Sequence, residues 1–501
     1  MKRLSVLLSC MVLTGFLAGS IFSQGNAVIK IDFDRKIGTV DPNIYGAFVE
    51  PIRTVVYGNI YDPKSSFADE NGFRKDFIKL VSELKIPVVR WPGGNYVSGY
   101  NWEDGIGPKD QRPARLDLAW HQVETNAMGT DEYVKLCKLI GAENFICINA
   151  GTGTLDQARY WVEYCNTEKG THYSDLRRKY GNETPFKVKY WALGNEIDGP
   201  WQMGQKNAED YVRFALEAAK LMQWVDKDIK LIASGASDYK PDNGWIDWND
   251  YVLTHMTGTI DYISVHRYAT EALGNDRSFS GMMCLGLDLD QKIETVKALI
   301  HKAMMKTGSK RPVYISFDEW SAGFGNSITA SLMVAQHLNS FIRHADIVRM
   351  ANITMLSSLV GYSPEGAFKN ALFQAFYLYS NNCSGSALDV SVSCDKYSND
   401  VFRDIPYLDV TAVVNDSTGS LVINVVNRHE TDPITTDIVM QTGDFTGSAK
   451  AYEVNGKIAA PGNPGASEPV NSSSSDIKFK GNTFKYTFPA HSLTQLMVPL
   501  K

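Results

Sequence analysis

The chain predicts an α/β fold, a (β/α)8 barrel of the TIM type followed by an antiparallel β-sandwich, on three observations. Between residues 40 and 385, eight short β-rich runs alternate with longer amphipathic stretches, the pattern of βα units around a parallel sheet. Several of these runs finish in polar residues that a buried strand avoids. After residue 385 helical spacing stops and alternating, β-branched runs take over. A chain of 501 residues is too long for one ordinary core, and 44% hydrophobic with 21% charged residues excludes a disordered or collagen-like protein.

The elements follow in order. Lys2 and Arg3 precede an apolar stretch over 4–22, diluted by Ser5, Ser9, Thr14, Gly15, Gly19 and Ser20 and followed by small Ser23. Residues 1–23 therefore read as a signal peptide rather than a membrane anchor, and the mature chain is expected to be secreted or periplasmic. Cys10 comes too early for a lipoprotein acylation site. Residues 24–39 carry a strand, over 27–33, available to pair with the C-terminal domain. The barrel, 40–385, takes strands over 44–50, 88–91, 145–149, 190–196, 231–235, 262–266, 313–319 and 350–356. Apolar residues at helical spacing mark 73–84, 131–140, 156–165, 208–225 and 289–307. The sandwich, 386–501, takes strands over 390–393, 407–415, 420–427, 434–441, 450–454 and 484–498, with a Gly-, Pro- and Ser-rich loop over 461–475.

Composition narrows the chemistry. Fifty basic against 56 acidic residues give a net charge of −6, and no run of Lys and Arg could track a phosphate backbone, so nucleic acid is not an expected partner. The cysteines at 137, 147, 165, 284, 383 and 394 contain no CxxC pair, and Cys383 and Cys394 either bridge or remain thiols. No HExxH and no EF-hand loop is present, so no metal or cofactor is expected. Gly151-Thr152-Gly153-Thr154 lacks the lysine of a phosphate-binding loop and reads as a tight turn.

In a (β/α)8 barrel the C-terminal strand ends converge on the face that holds the active site. Glu50, Arg90, Asn195 with Glu196, His266 and Glu319 all sit at such ends. Glu196 closes the fourth run in Trp191-Ala192-Leu193-Gly194-Asn195-Glu196, and Glu319 the seventh in Tyr314-Ile315-Ser316-Phe317-Asp318-Glu319. Alone, either glutamate would be better explained as a rim ion pair or a helix cap. At 123 residues apart they are three units from each other, and that chord brings their side chains face to face across the mouth. Two carboxyls about 5–5.5 Å apart are the arrangement of a retaining glycosidase. Trp91, Trp102, Trp120, Trp191, Trp201 and Trp320 fall in or beside the strand-end motifs and are expected around one cleft, where rings suit the apolar faces of sugars.

These residues carry a resemblance. Arg90-Trp91-Pro92-Gly93-Gly94-Asn95 and Gly99-Tyr100-Asn101-Trp102-Glu103-Asp104-Gly105-Ile106-Gly107-Pro108 are similar to the signature stretch of glycoside hydrolase family 51, the α-L-arabinofuranosidases. The similarity continues through Asp117-Leu118-Ala119-Trp120, Leu193 to Gln202, Asp261 to His266 and Phe317 to Trp320, nearly the whole barrel. It implies a retaining, exo-acting clan A enzyme that frees terminal α-L-arabinofuranosyl residues from arabinan or arabinoxylan. Glu196 matches the acid/base and Glu319 the nucleophile. Asn195 resembles the residue that bonds the sugar 2-hydroxyl, and Glu50 and Asn95 match the positions holding the remaining hydroxyls. Arg90, His266 and Tyr268 resemble the shell around the nucleophile. Trp120 matches an aromatic near the leaving group, with core packing as the competing reading.

The chain also departs from the family pattern. Gly323 replaces a tryptophan after the nucleophile, Met355 a glutamine on the eighth strand, Pro51 a histidine and Arg53 a glycine. Phe324 or Arg53 is available to fill the vacated wall. The expected partner is a carbohydrate, met by a monomer or a homo-oligomer. Two alternatives stand: a clan relative acting on another plant polysaccharide, such as an endo-glucanase or xylan-active enzyme, and a non-catalytic carbohydrate-binding protein. The trio Glu196, Asn195 and Glu319 argues against the last, since binding alone does not require it.

Overall fold

The eight apolar runs form one closed parallel barrel in chain order. The computed structural model describes residues 27–240, 243–269, 276–323, 326–443, 445–458 and 469–501. The segment read as a signal peptide, and Phe324, lie outside the described residues. Strand β1 (Ala27–Val40) precedes the barrel strands β2 (Gly46–Phe48), β3 (Val88–Trp91), β4 (Glu143–Cys147), β5 (Tyr190–Ala192), β6 (Lys230–Ala233), β7 (Tyr262–Tyr268), β8 (Tyr314–Ser321) and β9 (Val348–Thr354). Barrel strand β9 closes on β2, where Gly46 lets the backbones meet: a Cβ there would lie 2.7 Å from the Ala351 carbonyl oxygen. The interior is filled by Val88, Phe145, Cys147, Tyr190, Ala192, Ile232, Tyr262 and Met350, so the barrel is a packed core and not a pore.

A helix follows each barrel strand: Lys75–Glu83, Thr130–Ile140, Leu155–Asn166, Ala208–Val225, Trp245–Met256, Leu285–Thr307, Ile328–Arg343 and Ala371–Asn382. Two of these, Trp245–Met256 and Ala371–Asn382, are not among the helical stretches read from the sequence, and Ile328–Arg343 is marked there only as a helix near Ser331. Ile328–Arg343 is buried almost along its whole length because the barrel covers one side and the C-terminal sheet the other. Gly151-Thr152-Gly153-Thr154 is a turn held by Asn149, whose side-chain oxygen accepts from the amides of Gly151 and Thr152, and Thr154 then caps Leu155–Asn166.

The C-terminal strands are β10 (Gly385–Ser393), β11 (Leu408–Asn415), β12 (Ser420–Asn427), β13 (Ile434–Met440), β14 (Ser448–Gly456), β15 (Val470–Lys478), β16 (Thr483–Phe488) and β17 (Ser492–Pro499). They form one nine-stranded sheet with β1, ordered β15-β14-β17-β12-β11-β10-β1-β13-β16. Strand β1 pairs antiparallel with β10 and parallel with β13, so the sheet is antiparallel except at that one step. The sheet folds over a second core that includes Ile29, Ile31, Val410, Ile423, Ile438 and Leu496. Two expectations need correction. Val470–Ser475, assigned to a loop, belong to β15: their serines pair through the backbone with β14, which composition does not reveal. The run 484–498 is two strands with a turn between them, not one.

The six cysteines are free thiols, so Cys383 and Cys394 do not bridge. Among the described residues no helix is long and apolar enough to cross a membrane.

Candidate active site

Glu50, Arg90, Asn195, Glu196, His266 and Glu319 meet at the C-terminal mouth of the barrel. Strand β5 stops at Ala192, and Gly194 (φ 106°) and then Glu196 (φ 43°) turn the backbone so that the Glu196 carboxylate enters the mouth. A left-handed conformation at a non-glycine costs about 1–3 kcal/mol and is kept where surrounding structure holds it. Here Asp198 clamps the loop by accepting from the Ser237 amide and hydroxyl.

Opposite, β8 breaks its pairing with both neighbours between Ser316 or Phe317 and Glu319 or Trp320. Regular alternation would point Asp318 and Glu319 to opposite faces. The irregularity lets both face Arg90, at 3.3 Å from Asp318 Oδ2 to Nε and 2.7 Å from Glu319 Oε1 to Nη1.

The two glutamates have different surroundings. Glu319 accepts from the Arg90 guanidinium through Oε1 and from the Tyr268 hydroxyl through Oε2 at 2.5 Å. Glu196 has no cationic arginine: Oε1 lies 2.9 Å from His266 Nδ1, and Oε2 accepts from the Trp201 indole at 2.8 Å. Its side chain keeps 13% of its surface exposed, against 4% for Glu319. Burial opposes charge on His266, yet Glu319, Asp318 and Glu196 outweigh it and raise its pKa well above the ordinary imidazole value.

One oxygen from each glutamate and a His266 nitrogen lie within 4.8 Å of one another. That spacing would also suit a shared cation, but all four carboxylate oxygens already face protein groups, which makes the trio a carboxylate pair with its donors rather than a chelate.

Glu50 forms the third wall. Its Oε1 accepts from the Tyr96 amide at 2.9 Å and from the Trp120 indole at 3.0 Å. Burial and then the charge of Glu319 push its pKa up to about 8, so at neutral pH it is a neutral carboxyl that can donate as well as accept. Trp120 sits on a hairpin, Arg115–Asp117 with Gln122–Glu124, pinned by Gln122 to the Pro51 carbonyl and the Arg53 amide.

Among the buried atoms without a hydrogen-bond partner are two amide atoms of this site, Asn95 Oδ1 and Asn195 Nδ2. Asn195 spends its oxygen on Arg90, leaving its NH2 for a ligand. Unpaired buried polar atoms cost free energy until a ligand or water meets them, which marks this wall as a hydroxyl-binding surface.

The tryptophans divide. Trp120 and Trp201 reach the site, whereas Trp91, Trp102, Trp191 and Trp320 are buried and belong to the core. Trp91 stacks on Tyr133 at 4.9 Å, Trp102 on Trp161 at 5.7 Å, and Trp320 packs on His337. Trp91, Trp191 and Trp320 take strand positions that face the helices, and Trp102 lies in a 3-10 turn packed on helix Leu155–Asn166. The Arg53 side chain is exposed, and its amide donates to Gln122 of the hairpin that carries Trp120. Sequence reading had no role for Trp201 as a donor or for Asp318; only their adjacency to the glutamates could have flagged them.

Comparison with known proteins places this geometry in a family. The family models described as "Alpha-L-arabinofuranosidase 1 domain" and "Alpha-L-arabinofuranosidase C-terminal domain" match residues 80–272 and 318–492. The chain is 40% identical over 434 residues, 81% of its own length and 86% of the relative's, to an "Intracellular exo-alpha-(1->5)-L-arabinofuranosidase" of Halalkalibacterium halodurans. A Thermotoga maritima alpha-L-arabinofuranosidase in arabinose complex superposes with a TM-score of 0.83 at 34% identity, covering 95% of this chain and all of that one. A family 51 alpha-L-arabinofuranosidase from Bifidobacterium longum gives a TM-score of 0.87 at 30% identity, over 94% and 99% of the two chains. With both domains matched and identity at this level over most of its length, the chain belongs to glycoside hydrolase family 51, the α-L-arabinofuranosidases, and is a glycosidase that releases arabinofuranosyl residues.

Proposed function

We propose that the enzyme removes terminal α-L-arabinofuranosyl residues from plant arabinan and arabinoxylan by double displacement, with Glu319 as nucleophile and Glu196 as acid/base. The observation that carries the assignment is the asymmetry of the pair. The guanidinium and phenol donors fix and aim the Glu319 carboxylate, whereas Glu196 lacks an arginine and stays open toward solvent, where a leaving group departs.

In the first step Glu319 attacks the anomeric carbon while Glu196 protonates the glycosidic oxygen, and the aglycone leaves as an alcohol. Glu196, now a base, takes a proton from water, which displaces Glu319 and frees arabinose with its configuration retained. Asn195 Nδ2 bonds the 2-hydroxyl, and Asn95 and Glu50 hold the other hydroxyls. Trp120 flanks the leaving group.

Aryl α-L-arabinofuranoside should be cleaved in preference to aryl β-D-xyloside and β-D-glucoside, and NMR should record the retained anomer first. Glu319→Ala should lose turnover and be rescued by azide with inverted glycosyl azide, while Glu196→Ala should act only on good leaving groups. Preference for another glycoside, or rescue of neither variant, would overturn the reading.

Export through residues 1–23 is part of the same proposal and would separate this enzyme from the relative named intracellular. Sequencing of the mature protein should find its first residue just after Ser23, and a retained Met1 would refute it.

A further inference from the structure

Asp318 is buried beside the nucleophile, and its carboxylate faces groups from two other strands. Oδ2 lies 3.3 Å from Arg90 Nε on β3, while Oδ1 lies 3.5 Å from His266 Nε2 on β7 and accepts the Ser264 hydroxyl at 2.5 Å. The remaining edges of those two cations serve the reaction. Arg90 donates from Nη1 to Glu319 and from Nη2 to Asn195, and His266 turns Nδ1 to Glu196. We propose that Asp318 is a positioning residue that couples the two halves of the catalytic pair, one carboxylate orienting both the guanidinium that serves Glu319 and the imidazole that serves Glu196. This rests on the roles given above to Glu196 and Glu319.

The geometry makes the assignment specific. A guanidinium held only at its tip could rotate about its long side chain. Here Nε at the base of the fork lies 3.3 Å from Asp318 Oδ2, an ion pair without a hydrogen bond, while the two tip nitrogens donate to Glu319 and Asn195. The imidazole faces a carboxylate at each nitrogen, with Glu196 Oε1 at 2.9 Å from Nδ1 and Asp318 Oδ1 at 3.5 Å from Nε2.

The titratable groups facing Asp318 are Arg90 from β3, Cys147 from β4, Tyr211 from helix Ala208–Val225, Tyr239 from the loop after β6, His266 from β7 and Glu319 beside it. Burial pushes the Cys147 thiol up to about 12 and raises both phenols, so these three stay neutral in the working range. Burial also opposes charge on Asp318 itself, but Arg90 and His266 outweigh it and hold its carboxyl below the ordinary range. Asp318 is thus a fixed negative charge among the reacting groups.

Asp318→Asn keeps the shape and removes that charge. It should lower kcat about 100-fold, the scale of an ångström-level misplacement, with KM on an aryl arabinofuranoside nearly unchanged. Losing one negative charge makes every proton of the cluster easier to lose, so both limbs of the pH–rate profile should move to lower pH, by on the order of one unit. Ser264→Ala removes one anchor of Asp318 but leaves its charge in place, so it should lower kcat by less than Asp318→Asn does, with KM unchanged and the limbs close to those of the parent.

A fall in kcat with both limbs unmoved, or wild-type kinetics in Asp318→Asn, overturns the proposal. If Asp318→Asn does not fold, as judged by circular dichroism, Ser264→Ala decides: an unchanged kcat, or kcat and KM altered together, overturns the proposal. Azide rescue of Glu319→Ala tests the underlying roles separately: rescue together with an unshifted Asp318→Asn profile sinks this inference alone.

Discussion

Trp201 donates its indole N–H to Oε2 of Glu196 across 2.8 Å while 48% of its own surface stays in solvent. The ring lies against backbone where Gly199 has no side chain, since a Cβ there would fall 2.6 Å from the indole. A half-exposed side chain contributes little to the core, so its replacement tests chemistry rather than folding. Trp201→Phe keeps a ring and removes the donor. Turnover of an alkyl arabinofuranoside, which needs protonation of its leaving oxygen, should fall about tenfold more than turnover of the nitrophenyl analogue. Equal losses on both substrates would show that Trp201 does not orient the acid.

Much of this site was legible in the sequence because parallel barrel strands are short, continuous apolar runs, so a charged residue at the end of one stands out. Glu50, Arg90, Glu196, His266 and Glu319 were found that way, and each lies at the mouth. Asp318 was not, because alternation gives neighbouring strand residues opposite faces, and the break in β8 that lets Asp318 and Glu319 both face inward leaves no mark in the sequence. Helix Ile328–Arg343 is expected from the sequence only as a helix near Ser331, without bounds, because a segment covered on all sides has little polar stripe to set its limits. The tryptophans misled in the other direction: position beside a motif does not say which face of the strand a ring takes, and four of the six pack outward against helices.

The buried carboxyl of Glu50 should leave a mark on stability. Its folded pKa, about 8 against an ordinary 4.5, means that the native state holds a proton the unfolded chain releases. Protein stability therefore falls as pH rises from about 4.5 through 8, the native state binding more protons across that window. Glu50→Gln mimics the protonated acid and lacks this slope. Its melting temperature, compared with that of the parent, should gain steadily from pH 5 to pH 9, by on the order of a few degrees. A difference that does not change with pH would mean that Glu50 titrates as an ordinary carboxyl.

Gly94 shows how the sugar wall depends on a missing side chain. A Cβ built there would sit 2.4 Å from Glu50 Oε2. Either Glu50 moves or the turn carrying Asn95 does, and both residues face the furanose in the proposed complex. Gly93 makes the comparison internal. Its Cβ would meet the Val97 amide nitrogen at 3.1 Å and Glu50 Oε1 only at 3.4 Å, which is ordinary contact. Gly94→Ala should therefore lower kcat/KM about 100-fold, mostly through KM, with Gly93→Ala distinctly milder and both variants folded by circular dichroism. If the two alanines cost the same, crowding of Glu50 is not the reason that glycine stands at 94.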